Sequence, residues 1–112
     1  MAQDDMFVVM YKILAYLYDC LKRGVEPSRT MLAHDGDMLA IDYGYWTRIM
    51  YELDRHGYVD GFVVKKVQPP AIIVNMVSPT ITMEGVEFLK ENSRMQKALR
   101  FLKETKSALP FL

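Results

Sequence analysis

The chain has 112 residues and a mass of 13.0 kDa, enough for one ordinary domain with a small core. With 51% hydrophobic and 25% charged residues, its composition excludes intrinsic disorder, and 14 basic against 14 acidic residues exclude a strongly charged chain. A single cysteine, Cys20, excludes an internal disulfide, so a reducing, cytoplasmic setting is expected.

The first segment places Phe7, Met10, Leu14, Leu17 and Leu21 at three-and-four spacing, which predicts a helix over about residues 5–23, ended by Gly24. A second apolar stripe, Met6, Val9, Ile13, Tyr16 and Cys20, lies about 100° round the same cylinder. Asp5, Lys12 and Asp19 remain as a narrow wet edge. So broad an arc predicts burial on two sides, hence a homodimer through this helix or through the terminal "ALPFL" with Phe111 and Leu112. Lys12 and the acids Asp4 and Asp5 argue against a signal peptide, and the run is too short to span a bilayer.

Ser28 then offers an N-cap for a short helix to about Ala33, Asp35-Gly36-Asp37 a turn, and Asp42 a second N-cap. The order is helix, turn, helix. The helix over 43–56 carries Trp46, Ile49, Met50 and Leu53 on one face and Tyr45, Arg48, Glu52 and Arg55 on the other, with Gly57 as its stop. Nine methionines suit adaptable packing or a partner surface.

Residues 58–67 and 71–77 are rich in β-branched residues and are separated by Pro69-Pro70, which predicts a β-hairpin, or wing. Beyond Ser78-Pro79, Thr82 caps further helical spacing through Leu102, as one bent helix or two. There is no repeat or linker. The pattern is therefore α+β, a single winged helix-turn-helix domain over 1–112: a three-helix core, a β-hairpin wing and an additional C-terminal helical segment.

"LDRHGYVDG", a hairpin, and then "TITMEGVEFLKENSRMQKALRFLKETK" resemble the YjcQ-like family of small winged-helix proteins of low-GC Gram-positive bacteria and their prophages. The resemblance covers about residues 7–107. It implies the winged-helix architecture and a phage-like genomic setting, but no activity and no functional residues. The first helix is longer and more aromatic than in typical members.

Catalysis is not expected. Neither His34 nor His56 stands at a recognisable spacing from Cys20, and no glycine-rich phosphate loop is present, so no cofactor is implied. His34, Asp35 and Asp37 lack the second histidine, cysteine pair or calcium-loop pattern of a metal site and read as a solvated turn.

Double-stranded DNA is the partner the fold suggests, yet residues 25–58 hold three arginines against six acids, a net −3. The candidate groove-facing set is Tyr45, Arg48 and Arg55. Lys65 and Lys66 on the wing, with Arg94, are the candidate phosphate contacts. Arg48 and Arg55 also flank Glu52 at ion-pair spacing, and the five cations of residues 94–106 suit a solvated helix face as well as a backbone or membrane-surface contact. The rival expectation is a protein-interaction or dimerisation module that keeps the fold without touching nucleic acid.

Overall fold

The computed structural model describes residues 1–107, 109 and 111. It is an α+β arrangement of five helices and one two-stranded antiparallel sheet, in the order α1 (Met6–Arg23), α2 (Arg29–Leu32), α3 (Tyr43–Arg55), β1 (Val59–Lys66), β2 (Ile72–Ile81), α4 (Met83–Glu91) and α5 (Ser93–Glu104).

Helix α1 is the central element. The Asp5 carboxylate accepts from the Phe7 N–H at 2.9 Å, and beyond Arg23 the Gly24 and Val25 N–H groups close on the Leu21 and Cys20 carbonyls. α5, β2, α4 and α3 all pack on α1, so Val9, Ile13, Tyr16 and Cys20 of the second stripe are as buried as Leu14 and Leu17 of the first. The two-sided arc is therefore satisfied within one chain, because the C-terminal helices fold back over it. Its breadth supplies no reason for self-association through α1. The Phe111 ring also turns inward, 6.1 Å from that of Tyr16, while Leu112 lies outside the described residues.

The expected wet edge is corrected at Lys12, which is 7% exposed. Its Nζ donates to Gln3 Oε1 at 3.3 Å and to the Met38 carbonyl at 3.2 Å, two partners that no helical periodicity reveals. Burial pushes the ammonium below the ordinary lysine range. Between the folded and unfolded titrations the unfolded chain holds the extra proton, so this group adds stability as pH rises towards about 10. Urea midpoints of wild type and Lys12→Met are expected to diverge in favour of wild type between pH 7 and pH 10. Parallel curves would mean that the ammonium stays hydrated.

Ser28 caps α2 and Asp42 caps α3, with Asp42 Oδ2 accepting from the Tyr45 N–H at 3.1 Å. The two helices are joined through Trp46, 4% exposed, whose Nε1–H donates to the Leu32 carbonyl at 3.0 Å. His34 closes this corner, its ring 5.2 Å from Tyr43 and its Nδ1 3.1 Å from the Ile41 carbonyl.

The hairpin runs further than the sequence pattern predicts. β2 does not stop at Ser78-Pro79, because pairing resumes beyond them at Asp60 with Thr80 and Val59 with Ile81. Between Asp60 and Phe62 a single β1 residue, Gly61, faces residues 77–79, and Pro79 sits at this irregularity, where no ladder donor is required. Asn92 settles the open choice at the C-terminus: it closes α4, and its Oδ1 accepts from the Arg94 and Met95 N–H groups to start a second helix.

Candidate nucleic-acid interface

On α3, a 3.6-residue period puts Gly44, Arg48, Tyr51 and Arg55 on one stripe, opposite the buried Trp46, Ile49, Met50 and Leu53. The Arg48 and Arg55 side chains are 55% and 57% exposed. From the hairpin, Lys66 reaches the same stripe, with its Nζ 4.5 Å from the centroid of the Tyr51 ring. The Arg48 guanidinium lies 5.6 Å from that ring. Arg48, Lys66 and Gly44, with the turn residues Pro69, Pro70 and Ala71 and with Ile72, line a groove of about 440 Å³ between α3 and the hairpin.

Glu52 governs the charge here. Its Oε1 is 3.0 Å from Arg48 Nη2, and its Oε2 is 3.0 Å from Arg55 Nη2. His56 Nδ1 is 3.6 Å from the same Oε2. The Arg55 hydrogen bond, with the charges of Arg55, Arg48 and His56, holds the Glu52 carboxyl below its ordinary range. One carboxylate thus serves both arginines, which leaves a single net positive charge between them. Asp54 is raised, first by burial and then by the nearby Asp60, so this end of α3 and the start of β1 carry an acidic pair.

The five residues singled out from sequence do not form one set. Arg48 and Lys66 come together, and Arg55 shares their stripe. Tyr45 sits about 60° round the helix from Arg48 and turns towards the N-terminus, where its hydroxyl donates to the Asp4 carbonyl at 2.6 Å. Burial, and then Asp4 and Asp5, raise its phenol. Lys65 alternates onto the opposite face of the hairpin, among Val63, Val67, Ile73 and Val77. Arg94 lies over the Phe7 ring at 5.0 Å, away from the groove. Arg29 is occupied as well, its Nη2 donating to the Met76 carbonyl at 2.8 Å and the Val77 carbonyl at 3.2 Å, which ties α2 to β2.

A family model described as YjcQ protein matches residues 11–108, from the second turn of α1 past the end of α5. The chain belongs to the YjcQ family. The α3 stripe and the whole hairpin lie inside the YjcQ region. No curated protein and no solved structure matches the chain.

Tyr51, the ring that Arg48 and Lys66 approach beside this YjcQ groove, is the residue that sequence reasoning missed. The available signal was its position three residues after Arg48, on the same stripe as Arg55, but a tyrosine between two arginines reads first as ordinary helix surface. Cys20 is 1% exposed on α1, and the His34 ring packs 6.2 Å from that of Trp46. Among the described residues no three His, Cys, Asp or Glu side chains gather as a metal site, and no helix is long and apolar enough to cross a membrane.

Proposed function

We propose that this YjcQ-family protein is a winged-helix DNA-binding regulator of phage-like origin, working in the cytoplasm without catalysis or cofactor. In this reading α2 and α3 are an abbreviated helix-turn-helix, with α3 in the major groove, and the β1–β2 hairpin is the wing. One observation carries it: Arg48 on the helix and Lys66 on the hairpin converge on Tyr51 beside an open groove. Arg48 is the base-reading group, as a guanidinium can meet guanine in two hydrogen bonds, and Lys66 holds phosphate. Tyr45 leaves the groove-facing set and Tyr51 enters it.

Glu52, Asp54 and Asp60 keep affinity modest, so a dimer supplying a second half-site fits this reading. A surface that suits such a dimer is the outer face of the wing, where Val63, Val67, Ile73 and Val77 are all at least 40% exposed. The same four side chains favour the second reading, a protein-interaction module that binds no nucleic acid.

Anisotropy titrations with labelled fragments of the protein's own genomic neighbourhood at low salt separate the two. Arg48→Ala is expected to weaken preferred sites by about 1–3 kcal/mol and relax their specificity, whereas Lys66→Ala weakens all sequences alike and lowers the salt slope by about one. No binding at tens of micromolar protein leaves the interaction module.

A further inference from the structure

The hairpin has only two strands, so each strand has an outer edge. The Val67 N–H donates to the Ala71 carbonyl inside the hairpin, and alternation back along β1 turns the backbone groups of Lys65 and Val63 inward as well. Those of Phe62, Val64 and Lys66 therefore point outward. Among the described residues they have no hydrogen-bond partner. The β2 edge is different, because Arg29 Nη2 occupies the Met76 and Val77 carbonyls and Pro79 beyond them has no N–H to offer. Over residues 62–66, β1 carries no proline and no irregularity, and only Lys65 and Lys66 guard it.

We propose that the β1 edge pairs antiparallel with the β1 edge of a second copy, about a two-fold axis at Val64, joining two hairpins into one four-stranded sheet. The strand is self-complementary in that register. Val64 lies opposite the partner's Val64, Phe62 opposite the partner's Lys66, and Val63 opposite the partner's Lys65. No two like charges stand directly opposed, and each lysine stem runs along an apolar side chain. This register also pairs all three outward-pointing residues, whereas an axis at Lys65 or Lys66 would set a lysine against its own copy. Upstream, Gly61 with φ +77° breaks the alternation and limits the paired stretch.

Pairing consumes the β1 edge of both copies and leaves the β2 edges outermost, where Arg29 stands, so assembly closes at two. The pairing does not rest on the DNA-binding reading. If that reading holds, the same axis relates two α3–wing grooves and supplies the second half-site.

A single strand edge is a small contact, so a dissociation constant on the order of 10–100 µM is expected for the full chain by sedimentation. Val63 is 40% exposed, and the fold tolerates either charge there. Val63→Lys places a cation against the partner's Lys65 and should dimerise about tenfold more weakly than Val63→Glu, which places an anion there. Loss of an apolar surface alone would weaken both equally. As protein concentration rises, amide exchange at Phe62, Val64 and Lys66 should slow while Ile72 and Val74 on the β2 edge stay fast. Four results overturn the proposal: a monomer at about 1 mM, equal dimerisation of the two Val63 variants, a dimer in which those three amides stay fast, or species larger than a dimer. The third would mean that the valine faces or another surface meet, and the fourth that the β2 edge is open.

Discussion

Trp46→Ala is expected to cost about 3–5 kcal/mol, a large share of the stability of a domain this size. Two losses combine. The indole fills the corner between α2 and α3, beside His34 and Tyr43, and this side of the core is closed by the four-residue α2 and the loop after it. Its Nε1–H also satisfies the buried Leu32 carbonyl, which alanine would leave without that donor. Trp46→Phe separates the terms, keeping most of the ring volume while removing the N–H, and should cost about 1–3 kcal/mol. Urea unfolding of the three proteins decides the matter. If the alanine variant melts within a few degrees of wild type, the corner can refill and the α2–α3 junction is not held by this ring.

What could be read in advance follows the range of the interaction. Ser28, Asp42 and Thr82 each cap a helix within three residues of themselves, so they were legible from the sequence, as were Gly24 and Gly57 at helix ends, whereas Asp5, expected inside α1 on its wet edge, is its N-cap. The broad apolar arc of α1 was also legible, but its explanation was not. That arc is covered by α4 and α5, which arrive some 60 residues or more later in the chain, and a partner copy was the only cover periodicity could suggest. Lys12 illustrates the same limit, since its ammonium is satisfied by Met38, 26 residues away.

The candidate interface was half legible for a related reason. Spacing put Arg48 and Arg55 on the outer face of α3, and both are there. It also offered ion pairs from both to Glu52, and both form, but it could not show that Tyr45 is drawn to the Asp4 carbonyl or that Lys66 rather than Lys65 crosses to the helix. The last point depends on strand register, because a one-residue slip exchanges the two lysines between faces.

Gly61→Ala is expected to be the most damaging small substitution in the wing, costing about 4 kcal/mol or more, and to abolish groove-dependent binding in whatever fraction stays folded. Gly61 has φ +77°, where an L side chain is strained by roughly 1–2 kcal/mol. Strain is the smaller part. A Cβ built there runs into the Ser78 carbonyl oxygen, which is backbone and cannot swing aside, so the ladder must open where β1 passes residues 77–79. Opening it shifts the register that carries Lys66 to Tyr51. Gly57→Ala is the control, because φ there is +74° and its added Cβ meets nothing within 4 Å, so it bears the backbone strain alone. Denaturant unfolding should therefore place Gly57→Ala about 1–2 kcal/mol below wild type and Gly61→Ala well beyond that. Amide shifts around Tyr51 should move only in the Gly61 variant. Equal costs for the two alanines would show that the hairpin relaxes around residue 61, and that the placement of Lys66 does not depend on the irregularity.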